Sequence, residues 1–157
     1  MVITNLELRT TFLSPEMRHY FRKKLPEVSP REVQMRIEEC LKFLNMATHL
    51  NGNIPITQEI DDIWHYWILE TEDYQRLCRK LTGRRFIHHR SNDYAESLKD
   101  GIKKNPLEWE VAALAAYVAN YGPFKPERVR YWRLADHLVS KRGWSVQQLN
   151  DWLLSMS

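Results

Sequence analysis

The amino-acid sequence predicts an all-α protein, a single compact domain of about six or seven helices. Three observations support this prediction. Apolar residues recur at helical spacing in several segments, proline and N-capping residues stand directly before those segments, and glycine or asparagine follows them. The chain of 157 residues is about one domain in length, so we treat residues 1–157 as a single helical domain.

The N-terminal segment is the least regular part of the sequence. Residues 2–13 alternate only weakly between apolar and polar side chains, so we expect an arm or a short strand there. The next residues, Ser14-Pro15-Glu16, are typical of an N-cap with proline at the first helical position. They predict a short helix that ends near Pro26.

A longer helix is predicted to begin after Ser29. Ser29 and Glu32 form a capping-box pattern, with Pro30 at the first helical position. The turn at residues 51–53 (Asn-Gly-Asn) ends the helix. Its apolar stripe consists of Val33, Ile37, Cys40, Leu41, Leu44 and Ala47.

Residues 57–83 are predicted to form two helices that meet near Thr71, with one long kinked helix as the alternative. Thr57 caps the first helix, and Thr71 caps the second with two acids in its first turn, where the helix dipole favours them. Gly83 ends the second helix. The apolar stripes consist of Ile60, Ile63, Trp64, Trp67 and Ile68, and then of Tyr74, Leu77, Cys78 and Leu81.

The C-terminal third is predicted to hold three more helices. Pro106 opens a helix that ends at Gly122, Pro126 opens one that continues to Gly143, and Ser145 caps a last short helix. The second of these is expected to turn Val129, Trp132, Ala135 and Leu138 inward.

Composition excludes several classes of protein. Apolar residues make up 43% and charged residues 27% of the chain, which is too apolar for a disordered protein, and no apolar run is long enough to span a bilayer. Two cysteines argue against a disulfide scaffold, and the N-terminus lacks the pattern of a secretory signal. We therefore expect a cytoplasmic protein that does not enter a membrane.

The most distinctive candidate site surrounds His65. Asp61 lies four residues earlier, so on a helix its carboxylate can accept the imidazole N–H and orient the ring. Thiolate and imidazole groups suit zinc or another transition metal. The candidate ligands are His65, Cys78, His88 and His89, with Asp61, Trp64 and Tyr74 around them. The spacing matches no zinc-finger pattern, so a buried structural cysteine and a core histidine remain alternative interpretations.

Other chemistries find weaker support in the sequence. Cys78 with His88 or His89 is a conceivable nucleophilic pair, but no glycine-rich elbow or phosphate loop accompanies it. A block of bases with one aromatic suggests nucleic-acid binding, although a solvated basic face is the simpler interpretation. That block consists of Arg76, Arg79, Lys80, Arg84, Arg85 and Arg90, with Phe86. A second basic patch consists of Lys125, Arg128, Arg130, Arg133, Lys141 and Arg142, with Tyr131 and Trp132.

Residues 33–91 resemble the glycine-rich domain-containing protein-like family. The matching positions are Asp61, Trp64, His65, Leu69, Tyr74, Cys78, Gly83 and His88, with His89 adjoining. The resemblance implies a helical module with a shared Trp-His/Tyr/Cys/His cluster and no assigned reaction. The chain departs from the family at Trp67, where many members have a second histidine, and it lacks the glycine-rich tail. Residues 105–157 lie outside the resemblance, and their type is unassigned.

We therefore expect a non-enzymatic helical module that binds a protein partner, because aromatic residues and arginines are enriched at interfaces. A metal-binding protein or metal-dependent enzyme that uses the His/Cys cluster is the alternative. A nucleic-acid-binding protein is the second alternative.

Overall fold

The computed structural model confirms the all-α fold class and describes residues 1–50, 54–84, 86–88 and 106–156. Those residues contain eight α-helices and no β-strand. The helices are α1 (Asn5–Phe12), α2 (Pro15–Lys24), α3 (Pro30–Met46), α4 (Gln58–Leu69), α5 (Thr71–Lys80), α6 (Pro106–Tyr121), α7 (Arg133–Asp136) and α8 (Val146–Leu154). Short 3₁₀ helices span Ala47–His49 and Pro126–Tyr131, and a π-helical turn spans His137–Lys141.

The prediction of an arm or strand at the N-terminus was wrong, because residues 5–12 form helix α1. A capping box begins the helix: the Thr4 hydroxyl accepts from the Glu7 backbone N–H at 3.1 Å, and the Glu7 carboxylate accepts from the Thr4 N–H at 2.8 Å. Leu8 is fully buried, whereas Leu6 is exposed. The helix was missed because eight residues show little periodicity, although the Thr4–Glu7 spacing is a capping signal.

Helix α3 lies at the centre of the molecule and packs against α1, α2, α4, α6 and the 3₁₀ helix at 126–131. The predicted cap is present, since the Ser29 hydroxyl accepts from the Glu32 N–H at 3.1 Å. Nearly every residue of its second half is buried, on all sides of the helix. The buried apolar residues, from Leu8 in α1 to Leu153 in α8, form one hydrophobic core.

Helices α4 and α5 are separate, as predicted, and Glu70 lies between them. The indole of Trp67 stabilises this junction, because its Nε1 donates to Asp73 Oδ2 at 2.7 Å. The same ring packs edge-on against Phe21 of α2, with the ring centroids 5.2 Å apart. Trp67 is therefore a core residue that holds α4, α5 and α2 together.

The predicted single helix from Pro126 to Gly143 is instead three short elements. The 3₁₀ helix ends at Tyr131, and the extended backbone of Trp132 forms an isolated antiparallel bridge with Ile56. Helix α7 and the π-helical turn follow. The inward face was predicted correctly for Val129, Trp132 and Ala135, which are buried. The break was not visible in the sequence because it depends on pairing with a segment about 75 residues away.

Helix α8 is attached through Asn150, which is buried. Its side-chain oxygen accepts from the Phe124 N–H at 2.7 Å, and its side-chain nitrogen donates to the Phe124 carbonyl at 2.9 Å. Trp144 and Trp152 pack edge to face at its outer side, with their centroids 5.3 Å apart. Within the described ranges, no helix combines the length and the apolar character needed to cross a bilayer.

Candidate binding site

The predicted metal ligands do not form a cluster among the described residues. His65 is exposed on α4, Cys78 is buried on α5, and His88 is exposed. His89 lies outside the described residues. No group of three or more His, Cys, Asp or Glu side chains in the described ranges is placed to hold a metal ion. The metal centre therefore stays a prediction, which elemental analysis of untagged protein tests.

Trp64, Tyr74 and Cys78 anchor the segment after α5. Trp64 Nε1 donates to the Tyr74 hydroxyl at 2.8 Å, and that hydroxyl donates to the Ile87 carbonyl at 2.6 Å. Phe86 packs edge-on against the Tyr74 ring, with the centroids 5.3 Å apart. Burial raises the pKa of the Tyr74 hydroxyl far above its usual range, so it stays protonated and able to donate. These interactions give the Trp/Tyr pair a structural role.

The Cys78 thiol has the properties of a packing residue. It is 2% exposed, and burial raises its pKa above the ordinary value of 9.0, although contacts with Ile87 and Tyr74 act in the opposite direction. A nucleophilic or metal-binding cysteine needs a lowered pKa or a bound cation, because the thiolate is the reactive form. The burial of the thiol and its raised pKa therefore favour the structural interpretation.

A network of buried charges in the core was not predicted from the sequence. Glu39 of α3 accepts from Tyr117 and Trp132 with one carboxylate oxygen, at 2.8 and 3.1 Å. Its other oxygen lies 2.7 Å from Lys42 Nζ and 3.1 Å from Arg128 Nη1.

The neighbouring Glu38 extends this network. Glu38 Oε1 pairs with Arg128 at 2.8 Å, and its Oε2 pairs with Arg9 at 2.7 Å. Burial lowers the pKa of Lys42, whereas for Arg128 the two glutamates outweigh burial and raise it. The missed signal was three charged residues, Glu38, Glu39 and Lys42, inside an otherwise apolar helical run.

The two predicted basic patches differ in the structure. Around α5, Arg76, Arg79, Lys80 and Arg84 are exposed, while Arg85 and Arg90 lie outside the described residues. The C-terminal patch was partly wrong. Its members Arg128, Tyr131 and Trp132 are buried, and Arg133 pairs with Glu110 at 2.7 Å. Arg128 is buried because its carboxylate partners, Glu38 and Glu39, lie on α3, far from it in the sequence.

The surface between α2 and α5 is concave, and we call it the α2–α5 groove. Its α1 end is a hollow of about 580 Å³ between the α1–α2 corner, residues 10–16, and the exposed side of α5. Its α4 end is a hollow of about 440 Å³ between α2 and the α4–α5 junction, residues 69–73. Both hollows are lined by Glu16, Asp73 and Arg76, so they adjoin.

Leu69 and Tyr20 provide the apolar surface of the α4 end. Leu69 is 57% exposed, Tyr20 is half-buried, and Met17 lies buried between the helices. Burial and the nearby Glu70 raise the pKa of the Tyr20 hydroxyl. A partly exposed apolar side chain in a polar hollow of this size is suited to holding one or two side chains of another molecule.

The fold and the groove define a small all-α protein with a polar, partly apolar groove on its surface. A family model described as UCP032817-like matches residues 5–138. Because the match spans most of the chain, from α1 to the start of the π-helical turn, the protein belongs to the UCP032817-like family. That description states no activity or partner, and it does not bear on the glycine-rich domain-containing family, so the earlier resemblance stays a prediction. No curated protein and no solved structure matches the chain significantly.

Proposed function

We propose that this protein is a non-enzymatic helical module that binds a partner protein in the α2–α5 groove. The observation that carries the proposal is the exposure of Leu69 within a concave surface. Burying a leucine that is more than half exposed contributes about 1–2 kcal/mol to binding, because its apolar surface is removed from water.

The aromatic residues support binding less directly than the sequence indicated. Trp64, Trp67, Tyr74, Tyr117 and Trp132 are buried in the core and are unavailable to a partner. The composition that suggested an interface therefore mainly reflects a core rich in large aromatic side chains. The proposal depends instead on the groove.

The titratable groups near the core also favour a binding role over a catalytic one. Glu39 is fully buried, and both of its oxygens are engaged by the surrounding donors. Cys78 is kept protonated by burial. A general base or nucleophile has to reach a substrate, and these groups are enclosed. Both cysteines are free and buried, which suits a protein of the reducing cytoplasm.

A selection from a random peptide library displayed on phage, with the full chain immobilised, tests the proposed function. Selected peptides are expected to bind the Leu69→Glu variant at least tenfold more weakly, because the substitution places a charge where an apolar side chain docks. Leu154→Glu is the matched control, since Leu154 is 46% exposed on α8, away from the groove. Equal binding to both variants, or a selection that yields no binding peptide, would contradict the proposal.

A second candidate function is nucleic-acid binding through exposed basic residues at the end of α5 and just after it. Arg79, Lys80 and Arg84 are exposed, and Phe86 beside them is 44% exposed. Basic side chains next to an accessible aromatic ring are typical of proteins that bind single-stranded nucleic acids. A salt titration with random-sequence RNA and DNA tests this function. The affinity should fall steeply as the salt concentration rises, and replacement of Arg79, Lys80 and Arg84 by alanine should reduce this dependence. Affinity that is independent of salt would contradict it.

A further inference from the structure

We infer that the α2–α5 groove accepts a basic, leucine-bearing segment of the partner protein, with cationic side chains on Glu16, Glu70 and Glu72 and the leucine against Leu69. This inference rests on the proposed function and specifies the chemistry of the partner. Four features of the groove lead to it: its charge, the pairing of its own arginine, the apolar side chains beside its carboxylates, and the length of its floor.

The α4 end of the groove is strongly acidic. Its lining carries four carboxylates, those of Glu16, Glu70, Glu72 and Asp73, against the one guanidinium of Arg76. Glu16, Glu70 and Glu72 are exposed. The chain as a whole is basic, with a formal net charge of +3, so this acidic surface contrasts with its surroundings. A negative cleft on a positive protein attracts cations and orients a partner before contact.

The arginine in the groove leaves most of this charge uncompensated. Arg76 Nη1 lies 3.4 Å from Glu72 Oε1, and Arg76 Nη2 lies 3.8 Å from Asp73 Oδ1. Asp73 also accepts the indole N–H of Trp67. Glu16 and Glu70 form no ion pair with any described residue. Lys24 Nζ lies over the Tyr20 ring, 5.6 Å from its centroid. The carboxylates of Glu16 and Glu70 are thus available to a partner, and that of Glu72, which is 88% exposed beside Arg76, is accessible as well.

The apolar part of the lining lies beside these carboxylates. Leu69 directly precedes Glu70, and Tyr20 lies one helical turn after Glu16. A segment that places a leucine against Leu69 and Tyr20 therefore brings its neighbouring residues close to Glu16 and Glu70. An acidic segment would meet like charges at the same positions, which weakens binding.

The groove has room for a short segment. Its floor is α5, whose ten residues extend over about 15 Å. An extended peptide of about five residues covers this length. At the α1 end, the exposed Thr11 offers a hydroxyl to the backbone of such a segment, whereas the hydroxyls of Thr10 and Ser14 already bond to the backbone of α1 and α2. The hollow there is larger than the acidic one. The groove thus combines one charged and apolar anchor with a polar channel.

Three synthetic eight-residue peptides test the inference by fluorescence anisotropy with the full chain. The first alternates lysine and leucine, the second alternates glutamate and leucine, and the third alternates lysine and serine. The lysine–leucine peptide is expected to bind at least tenfold more tightly than either of the others. Equal affinity of the first two peptides would overturn the charge preference, and equal affinity of the first and third would overturn the leucine anchor.

Matched variants separate the groove from general electrostatics. The triple variant Glu16→Gln/Glu70→Gln/Glu72→Gln removes three charges from the groove, and Glu27→Gln/Glu108→Gln/Asp151→Asn removes three exposed charges elsewhere. Both raise the net charge equally. The groove variant is expected to bind the lysine–leucine peptide about tenfold more weakly, as expected for the loss of two or three exposed ion pairs, and the control less than twofold more weakly. Equal weakening would overturn the inference.

The failure of this inference is distinguishable from the failure of the proposed function. If phage selection yields groove-dependent peptides without an excess of lysine and arginine, the protein-binding function stands and the basic partner is wrong. If the binding of no selected peptide depends on Leu69, both the proposed function and the basic partner are wrong. Sedimentation showing a dimer that Leu69→Glu dissociates would mean that a second copy of the chain fills the groove, which would also overturn the inference.

Discussion

Glu39 and Arg128 lie 89 residues apart in the chain and meet in the core, where Arg128 Nη1 donates to Glu39 Oε2 at 3.1 Å. Glu39 is fully buried, and Arg128 is 9% exposed. The pair joins α3 to the 3₁₀ helix at 126–131, and Tyr117 and Trp132 donate to the same carboxylate. A buried charge of this kind is tolerated because every oxygen has partners.

Removal of this carboxylate's charge should strongly destabilise the protein. Glu39→Gln leaves Lys42 and Arg128 with one fewer anion in a buried setting, and the loss of one member of a buried pair costs about 3–5 kcal/mol. Urea unfolding at neutral pH measures the change as a lower midpoint at constant m-value. Glu72→Gln, at a side chain that is 88% exposed, is the control and should leave the midpoint nearly unchanged. Equal midpoints for the two variants would contradict a stabilising role of the buried network.

Alkaline pH should destabilise the fold through its buried tyrosines. Burial raises the pKa of Tyr121 to about 12 and raises those of Tyr74 and Tyr117 well above the usual range. Above pH 10 the unfolded chain releases protons that the folded chain retains. The contribution of these tyrosines to the free energy of unfolding is therefore fully present below about pH 10 and is lost as the pH rises towards 12. Lys42 acts in the opposite direction, since burial lowers its pKa, but its contribution ends near the ordinary value of 10.5.

The variant Tyr121→Phe isolates one of these tyrosines. Each buried tyrosine contributes a slope of about 1.4 kcal/mol per pH unit in this range, so the variant should lose stability with a shallower slope, lower by one proton. Urea unfolding at pH 9, 10, 11 and 12 measures the slope, with tyrosinate absorbance as an independent monitor. An unchanged slope would show that Tyr121 ionises equally in the folded and unfolded states.

Loss of the Tyr74 hydroxyl should release the segment after α5. The hydroxyl links Trp64 to the Ile87 carbonyl, so Tyr74→Phe removes both of these hydrogen bonds from a buried position, at a cost of about 1–3 kcal/mol. Hydrogen–deuterium exchange should accelerate around residues 86–88 and remain unchanged in α6. Tyr66→Phe, a half-buried tyrosine on α4, serves as the control. Similar exchange in the two variants would mean that the aromatic packing alone holds the segment.

Asn150 should determine whether α8 stays attached. Asn150→Ala removes the partner of both the N–H and the carbonyl of Phe124, and two unpaired backbone groups cost about 2–4 kcal/mol. Limited proteolysis is expected to cleave the segment that contains Gly143 and Trp144 sooner in this variant. Gln147→Ala changes an exposed residue of the same helix and should leave the cleavage rate as it was. Equal rates would show that Leu149 and Leu153 suffice to dock the helix.

The positions of most helices could be predicted because their signals are local. Pro30 and the Ser29 hydroxyl begin α3 wherever the rest of the chain lies, and Pro15 and Ser14 do the same for α2. Trp132 shows the limit of such signals. Its residue type and spacing suit a helix, yet its backbone is extended because Ile56 pairs with it and the Arg133 N–H donates to the Pro55 carbonyl at 2.9 Å.

The α2–α5 groove was not predicted from the sequence, which pointed instead to a metal site around His65 and Cys78. The sequence singled out Trp64, Tyr74 and Cys78, and the structure places them near one another as a structural anchor. The sequence did not indicate that Leu69 is exposed in a groove or that Glu16 lies near it, because residues from α2 and α4 share a surface only after the helices pack. The burial of Arg128 could not be predicted for the same reason, because its carboxylate partners lie about 90 positions earlier in the sequence.

Local chemistry thus established the all-α class, the helix starts and the inward faces, since capping and helical periodicity act over three to eight residues. Packing alone decided which charges are buried and paired, which leucine remains exposed in a groove, and which aromatic residues belong to the core. Those properties depend on contacts between residues far apart in the chain. A single sequence contains these residues but does not show which of them come into contact.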